Sequence, residues 1–349
     1  MKWIICHQSA LEIWRKTHAR DAVAGKKLRT MKLANKPLDI NELQSENLRH
    51  LSKPLHVLVG SKNARKASKS LYCHITLAEI PDGSFVRMPS GLIVSSPELC
   101  FLQMASELSF IDLIRLGYEF CGSYRLDKGS DPDKGFRSDP PLTSVKKLSS
   151  YAAKAVNLKG CKNARRAINF VADGSASPME TVLAMLLTLP YRLGGYGFPK
   201  PMFNYRIDVP FGAYESNNDF PALVTITSAG TITTKSFSAS ADISKYYCDL
   251  YWPEKKVAVE YDSDAFHTGS DRIAKDAIRR NALTSAGVTV ITVSRSQITT
   301  AALLRNLAED LSKLLGKRLT YSVNEFTYRQ GKLLDQLVPI NTMHGSANI

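Results

Sequence analysis

Three carboxylates lie in a segment that otherwise has the pattern of two buried β-strands, and this combination most constrains the fold. Residues 246–251 and 256–262 have the composition of short strands, and the Trp-Pro-Glu-Lys sequence near their junction predicts a turn. Asp249 lies in the first strand, and Glu260 and Asp262 lie in the second. Because unpaired carboxylates resist burial, this hairpin must either bind a cation or expose its acidic face to water.

The spacing of the carboxylates favours a shared site. Glu260 and Asp262 are two residues apart in one strand, so their side chains point to the same face. Asp249 lies beside them if the two strands pair. Two like charges at roughly 4 Å repel by about 4 kcal/mol at an effective dielectric constant of about 20, so converging carboxylates need a cation or raised pKa values. Ligand sets made only of oxygen suit Mg²⁺, whereas the alternative is a solvated hairpin face.

The segments around the hairpin predict an α/β order. Ser177, Pro178 and Glu180 have the spacing of a capping box at the start of a helix with an apolar stripe. After it come an extended stretch at 202–209, the two acidic strands, a charged helix from about 271 to 286, and a strand at 288–293. A helix, strands, a helix and a strand in this order are typical of a small α/β domain.

The combined order of motifs resembles the Vsr-like branch of the PD-(D/E)XK endonuclease superfamily. Between Ser177 and Ser294 the chain has Ser-x-x-Glu, an Asp, Glu-x-Asp followed by His, then Asp-x-x-Arg, Leu and Gly before a final strand. The resemblance implies a restriction-endonuclease-like domain with a mixed central sheet flanked by helices. It also implies a Mg²⁺- or Mn²⁺-dependent endonuclease that hydrolyses phosphodiester bonds in DNA, in phage defence or DNA repair.

The resemblance further implies a role for each acidic residue and for one histidine. Asp249 and Glu260 match the metal-binding carboxylates, and Glu180 is expected to approach the metal or its water. Asp262 occupies the position at which typical superfamily members carry a water-orienting lysine, and we expect it to join the metal ligands. His267 resembles the histidine that transfers a proton in this branch, although its spacing from Asp262 is one residue longer than expected. The alternative for His267 is a surface histidine at the entrance of a helix.

The predicted helix at about 271–286 carries four cations that we expect to bind nucleic acid. They are Arg272, Lys275, Arg279 and Arg280. Asp276 can pair with Arg279 or Arg280 at helical spacing, so a solvated ion-pair face is the alternative.

The net charge of the chain is +14, and it is distributed unevenly. Residues 1–75 contain 15 Lys and Arg against 5 Asp and Glu, which leaves +4 for the rest of the chain. Such a basic surface attracts phosphate with salt-sensitive affinity. The charge indicates DNA or RNA, and together with the resemblance it makes DNA the expected partner. A protein partner of the N-terminal half is a further possibility.

The length of 349 residues allows two domains. We predict a basic α+β module at 1–172 that positions substrate or a partner. A nuclease-like domain is predicted at 173–349, with an insertion at about 209–240 and a C-terminal helix. Six scattered cysteines without a CxxC pair indicate neither a disulfide framework nor a zinc knuckle, and no apolar run predicts a membrane segment, so a cytoplasmic protein is expected.

A second interpretation uses the same nuclease-like fold for binding only. The N-terminal half distantly resembles AbiEi-type antitoxin and regulator proteins in residues 92–98 and 117–124. The chain would then be a DNA-binding regulator or antitoxin-like protein with a non-catalytic nuclease fold. A fold of this type that serves only protein–protein contact is a third alternative.

Overall fold

The computed structural model describes residues 3–29, 31–37, 48, 51–65, 68–127, 135–210, 243–262 and 270–338. The chain divides into two compact units, one formed by Met1–Pro199 with Tyr321–Ile349 and the other by Lys200–Thr320. The division therefore lies later than the predicted one at 172/173. The helix that begins after Ser177 belongs to the first unit because its apolar side chains are buried there.

The first unit contains a six-stranded mixed sheet. Its strand order is β2-β5-β6-β1-β3-β4, in which β1 is parallel to β6 and antiparallel to β3, and β3 is parallel to β4. The strands are β1 (Ile4–Ile5), β2 (Lys26–Leu28), β3 (Leu55–Val59), β4 (Leu71–Ile75), β5 (Phe85–Arg87) and β6 (Ile93–Ser95). A separate two-stranded sheet pairs β7 (Tyr124–Leu126) with β8 (Phe136–Ser138).

Seven helices precede the second unit within the described part of the chain. They are α1 (His7–Lys16), α2 (Ala19–Ala24), α3 (Pro97–Met104), α4 (Phe110–Cys121), α5 (Val145–Lys154), α6 (Cys161–Ile168) and α7 (Pro178–Thr188). Four of them begin after a serine whose hydroxyl accepts a backbone N–H of the first turn, namely Ser96, Ser109, Ser144 and Ser177. These caps satisfy donors that a helix leaves unpaired, and the predicted helix start at Ser177 is confirmed.

The second unit contains a four-stranded mixed sheet with the order β12-β11-β10-β9. Its strands are β9 (Met202–Pro210), β10 (Ile243–Trp252), β11 (Val257–Asp262) and β12 (Thr289–Ser294), and only β11 and β12 run parallel within this sheet. The predicted acidic hairpin is confirmed as β10 and β11, joined through a 3-10 turn at Pro253–Lys255.

A helix and a small core hold this sheet on one side. Helix α8 (Ser270–Ser285) confirms the predicted charged helix, and α9 (Arg295–Thr299) and α10 (Ala301–Leu315) follow β12. Leu283 of α8 is buried with Cys248, Ala258 and Val288. The chain leaves α8 at Gly287, whose φ of +77° is readily adopted only by glycine.

The last described helix, α11 (Val323–Leu337), returns to the first unit, where it contacts α4 and α7. The fold is thus mixed α/β, as predicted. None of the helices in the described ranges is long and apolar enough to cross a membrane. Most of the predicted insertion at 209–240 lies outside the described residues.

Candidate functional site

Asp249 lies where β10 departs from regular pairing. The register with β9 passes from Cys248 opposite Tyr205 to Leu250 opposite Phe203. Asn204, between those two partners, has a φ of +45°, which is uncommon for a residue other than glycine. Asp249 Oδ2 accepts a hydrogen bond from the Tyr261 N–H at 2.8 Å. The carboxylate of Asp249 is therefore attached to β11 at the residue next to Glu260.

Glu260 forms a two-point ion pair with Arg279 of α8. Arg279 donates to both carboxylate oxygens at 2.7 Å, and it also donates to the carbonyl of Tyr247. The Glu260 side chain is 13 % exposed and the Arg279 side chain is 33 % exposed. Two parallel charge-assisted hydrogen bonds hold the guanidinium plane and the carboxylate plane together, so Arg279 fixes the orientation of the Glu260 side chain.

Burial raises the pKa values of both carboxyl groups. For Asp249, desolvation raises the pKa and outweighs the lowering effects of the Tyr261 N–H and of Arg279. For Glu260, desolvation again raises the pKa, Arg279 lowers it, and the negative charge of Asp249 raises it. The charge of Asp249 is thus one cause of the raised pKa of Glu260.

A polar cleft of about 170 Å³ opens between α8 and the sheet. Four residues that the sequence predicted for the site line it, namely Glu260, Asp262, Arg279 and Arg280. Asp276 also lines the cleft, but Arg279 pairs with Glu260 rather than with Asp276. The structure thus pairs Arg279 with the sheet rather than along its own helix.

The three carboxylates of the hairpin do not converge on one point. Within the described ranges, Asp249, Glu260 and Asp262 do not bring one oxygen each within 4.8 Å of one another. A site with all three carboxylates as direct ligands is not assembled. Mg²⁺, however, is commonly held by one or two carboxylates together with substrate phosphates and water. Asp249 and Glu260 are the two carboxylates to consider for such a site, and Arg279 occupies both oxygens of Glu260.

The remaining predicted site residues are Glu180, Arg272, Lys275 and His267. Glu180 lies in the first unit at the start of α7, is 7 % exposed, and accepts the Ala176 N–H at 2.8 Å while its own N–H donates to Ser177. The Ser177 half of the predicted capping box is therefore formed, whereas the Glu180 carboxylate bonds the residue before the N-cap. Arg272 and Lys275 lie in α8, and their side chains are outside the described part of the structure. His267 is likewise outside the described residues.

Sequence reasoning missed two features of the molecule. The first is the ion pair between Arg279 and Glu260, whose partners are 19 residues apart and meet only when α8 packs on the sheet. The second is a Cys-His cluster in the first unit formed by Cys6, His7 and His74. Its members lack the close spacing of metal-binding motifs, and the only local signal is the adjacent Cys6-His7 pair.

Comparison of the chain with protein-family models, with curated proteins and with solved structures found no significant match in any of the three.

Proposed function

We propose that the chain is a metal-dependent nuclease that hydrolyses phosphodiester bonds in DNA, with Asp249 and Glu260 as the carboxylates that hold Mg²⁺ or Mn²⁺. The pairing of these two largely buried carboxylates carries the proposal. They lie on neighbouring strands, each has a raised pKa, and Asp249 contributes to the shift of Glu260. Carboxyl groups whose pKa values are shifted by burial and by a like charge, beside a cleft, are typical of functional sites.

Each acidic and basic side chain of the site has a separate role in this proposal. Asp249 and Glu260 hold the cation, and Asp262, which lines the cleft with Glu260, orients water. Arg280 and Arg279 supply positive charge beside the scissile phosphate, where developing negative charge needs stabilisation. A bound divalent ion would lower the pKa of water and neutralise charge on the phosphate.

The mixed sheet of the second unit is consistent with this proposal. The sheet contains the antiparallel acidic hairpin, and α8 then connects β11 to the parallel strand β12. This is the order of motifs that resembles the Vsr-like endonucleases. This support is an analogy of fold, and function depends on the site. The basic segment at 1–75 would add salt-sensitive affinity for DNA, in phage defence or repair, or contact a protein partner.

One observation favours the second candidate, a DNA-binding regulator or antitoxin-like protein. Arg279 occupies both oxygens of Glu260, so this glutamate can ligate a cation only if the arginine releases at least one oxygen. A permanently paired Glu260 would not ligate a metal, and a chain of this kind would bind DNA without cleaving it.

The deciding experiment is incubation of the purified chain with plasmid and linear DNA in Mg²⁺, in Mn²⁺ and in EDTA. We expect cleavage only with metal, and a loss of at least about 100-fold in Asp249→Asn and Glu260→Gln, as for the loss of a group that stabilises transition-state charge. The matched control is Glu254→Gln, an exposed residue in the turn of the same hairpin, which should cleave like the unmodified chain.

Three other results would decide against parts of the proposal. Cleavage that survives in both variants contradicts the site assignment. Salt-sensitive DNA binding without cleavage in any metal supports the regulator. No salt-sensitive binding at all supports a role in protein–protein contact.

A further inference from the structure

Cys6, His7 and His74 meet at the junction of β1, α1 and β4 in the first unit. Cys6 follows β1 and donates its backbone N–H to the His56 carbonyl of β3 at 3.0 Å. The register of the parallel strands places His74 of β4 opposite Leu58 of β3. Sheet order therefore brings the adjacent residues Cys6 and His7 close to His74, which lies 67 positions after His7 in the sequence.

The donor atoms of these three residues lie close together. One ligand atom each from Cys6, His7 and His74 lies within 4.8 Å of the others. The rings of His7 and His74 are stacked with centroids 3.4 Å apart, so the His7 ring must rotate for both rings to bind one ion in their planes. His56 Nδ1 lies 2.9 Å from His74 Nε2, so a hydrogen bond between the two rings orients His74. Histidine ligands of metals characteristically have such a second partner.

His7 carries two features that its packing leaves unexplained. It is 7 % exposed, and Nδ1 has no hydrogen-bond partner among the residues that the structure describes. Its φ of +48° is in the left-handed region, although it is not glycine, and its N–H is held by Gln103 Oε1 at 3.1 Å. An unsatisfied buried nitrogen and a strained backbone both cost free energy, and strained residues cluster at functional sites.

A cleft of about 270 Å³ gives access to the cluster. His7, His74 and Cys73 form part of its wall, and Arg65 and Lys159 add positive charge to the same wall. The volume is sufficient for several water molecules.

We propose that Cys6, His7 and His74 bind a Zn²⁺ ion, and that water or an anion from the cleft beside His7 and His74 would supply a fourth ligand. Imidazole and thiolate are the ligands that Zn²⁺ prefers, whereas Mg²⁺ takes oxygen. Three protein ligands and one open position are typical of catalytic rather than structural zinc sites. Binding transfers the Cys6 thiol proton to solvent as the metal–sulfur bond forms. The site is independent of the proposed nuclease site, which belongs to the other unit.

The test uses the full chain, stripped of metal by chelation and then titrated with Zn²⁺ and, in parallel, with Co²⁺. We expect one Zn²⁺ per chain at this site and a sulfur-to-cobalt charge-transfer band in the near ultraviolet with tetrahedral d–d bands. Zn²⁺ should displace Co²⁺ and raise the Tm. Cys6→Ser and His74→Gln should each lower Zn²⁺ affinity at least about 10-fold and remove the sulfur band or weaken it.

Two control variants show whether the band arises from Cys6 and its two histidines. Cys161→Ala removes a buried cysteine elsewhere in the first unit and should leave the band unchanged. The double variant Asp249→Asn with Glu260→Gln should also keep the band, because these two residues offer oxygen ligands and belong to the other proposed site. An unmodified chain without a sulfur-to-cobalt band overturns the proposal whether or not the variants fold. A band that persists unchanged in folded Cys6→Ser, or that disappears equally in Cys161→Ala, also overturns it.

Discussion

Replacement of Arg279 by glutamine should destabilise the second unit and at the same time strengthen its binding of Mg²⁺. The substitution removes the two charge-assisted hydrogen bonds to Glu260 and the one to the Tyr247 carbonyl. It also leaves the Glu260 carboxylate, with a side chain only 13 % exposed, without its cationic partner. Both consequences follow from one ion pair and can be measured separately.

The structure sets the expected size of the stability change. Breaking a buried ion pair costs about 3–5 kcal/mol, whereas a surface pair contributes about 0–1 kcal/mol. Because Arg279 is 33 % exposed and Glu260 is 13 % exposed, the pair lies between these limits. We expect a loss of about 2 kcal/mol in the free energy of unfolding. If the same 2 kcal/mol opposes the release of Glu260 to Mg²⁺, the affinity for Mg²⁺ should rise by up to about 30-fold.

Hydrogen exchange measured by mass spectrometry resolves the effect to the second unit, because peptides from β10 and β11 report the opening of that sheet. The exchange is measured in EDTA, and Mg²⁺ affinity is measured by calorimetry on the same preparations. The matched control is Arg280→Gln, because Arg280 lines the same cleft while Arg279 is the arginine that bonds Glu260. The double variant Arg279→Gln with Glu260→Gln should recover most of the lost stability and bind Mg²⁺ weakly.

Equal stability losses in Arg279→Gln and Arg280→Gln, to within about 0.5 kcal/mol, would refute the reasoning about the ion pair. Reduced stability with unchanged Mg²⁺ affinity would show that Glu260 is not a ligand. That second result favours the regulator, in which Arg279 and Glu260 remain paired.

Two further predictions concern the first unit. Arg15 donates to both oxygens of the buried Glu119 at 2.9 and 2.7 Å. Arg15→Met should therefore lower the free energy of unfolding, measured by urea denaturation, by about 3–5 kcal/mol. Adding Glu119→Gln should restore much of this loss. A loss below about 1 kcal/mol would count against burial of an unpaired charge. Glu180→Ala should cost about 1 kcal/mol through its lost cap on the Ala176 N–H, with DNA cleavage per folded molecule unchanged. Loss of cleavage in folded Glu180→Ala would instead support the role near the metal that the resemblance implies for Glu180.

The local elements of this protein are determined by short-range signals in the sequence. The Ser-Pro-x-Glu pattern at Ser177 predicts the start of α7 because the serine hydroxyl accepts the backbone N–H of Glu180 in the first turn. The alternation through residues 257–262 predicts β11, and Gly287 predicts the end of α8. These outcomes depend on neighbours within about four residues, which the sequence displays directly.

Tertiary structure decided which side chains meet. The capping spacing identified Glu180 correctly as part of a helix start, whereas its expected approach to the metal came from the resemblance alone. Asp276 and Arg279 have the spacing of a helical pair, yet Arg279 bonds Glu260 because α8 packs its inner face on the sheet. Cys6, His7 and His74 converge because β1, β3 and β4 are neighbours in the sheet. Such contacts depend on strand order and helix rotation, which are set by burial of the whole core rather than by any local pattern.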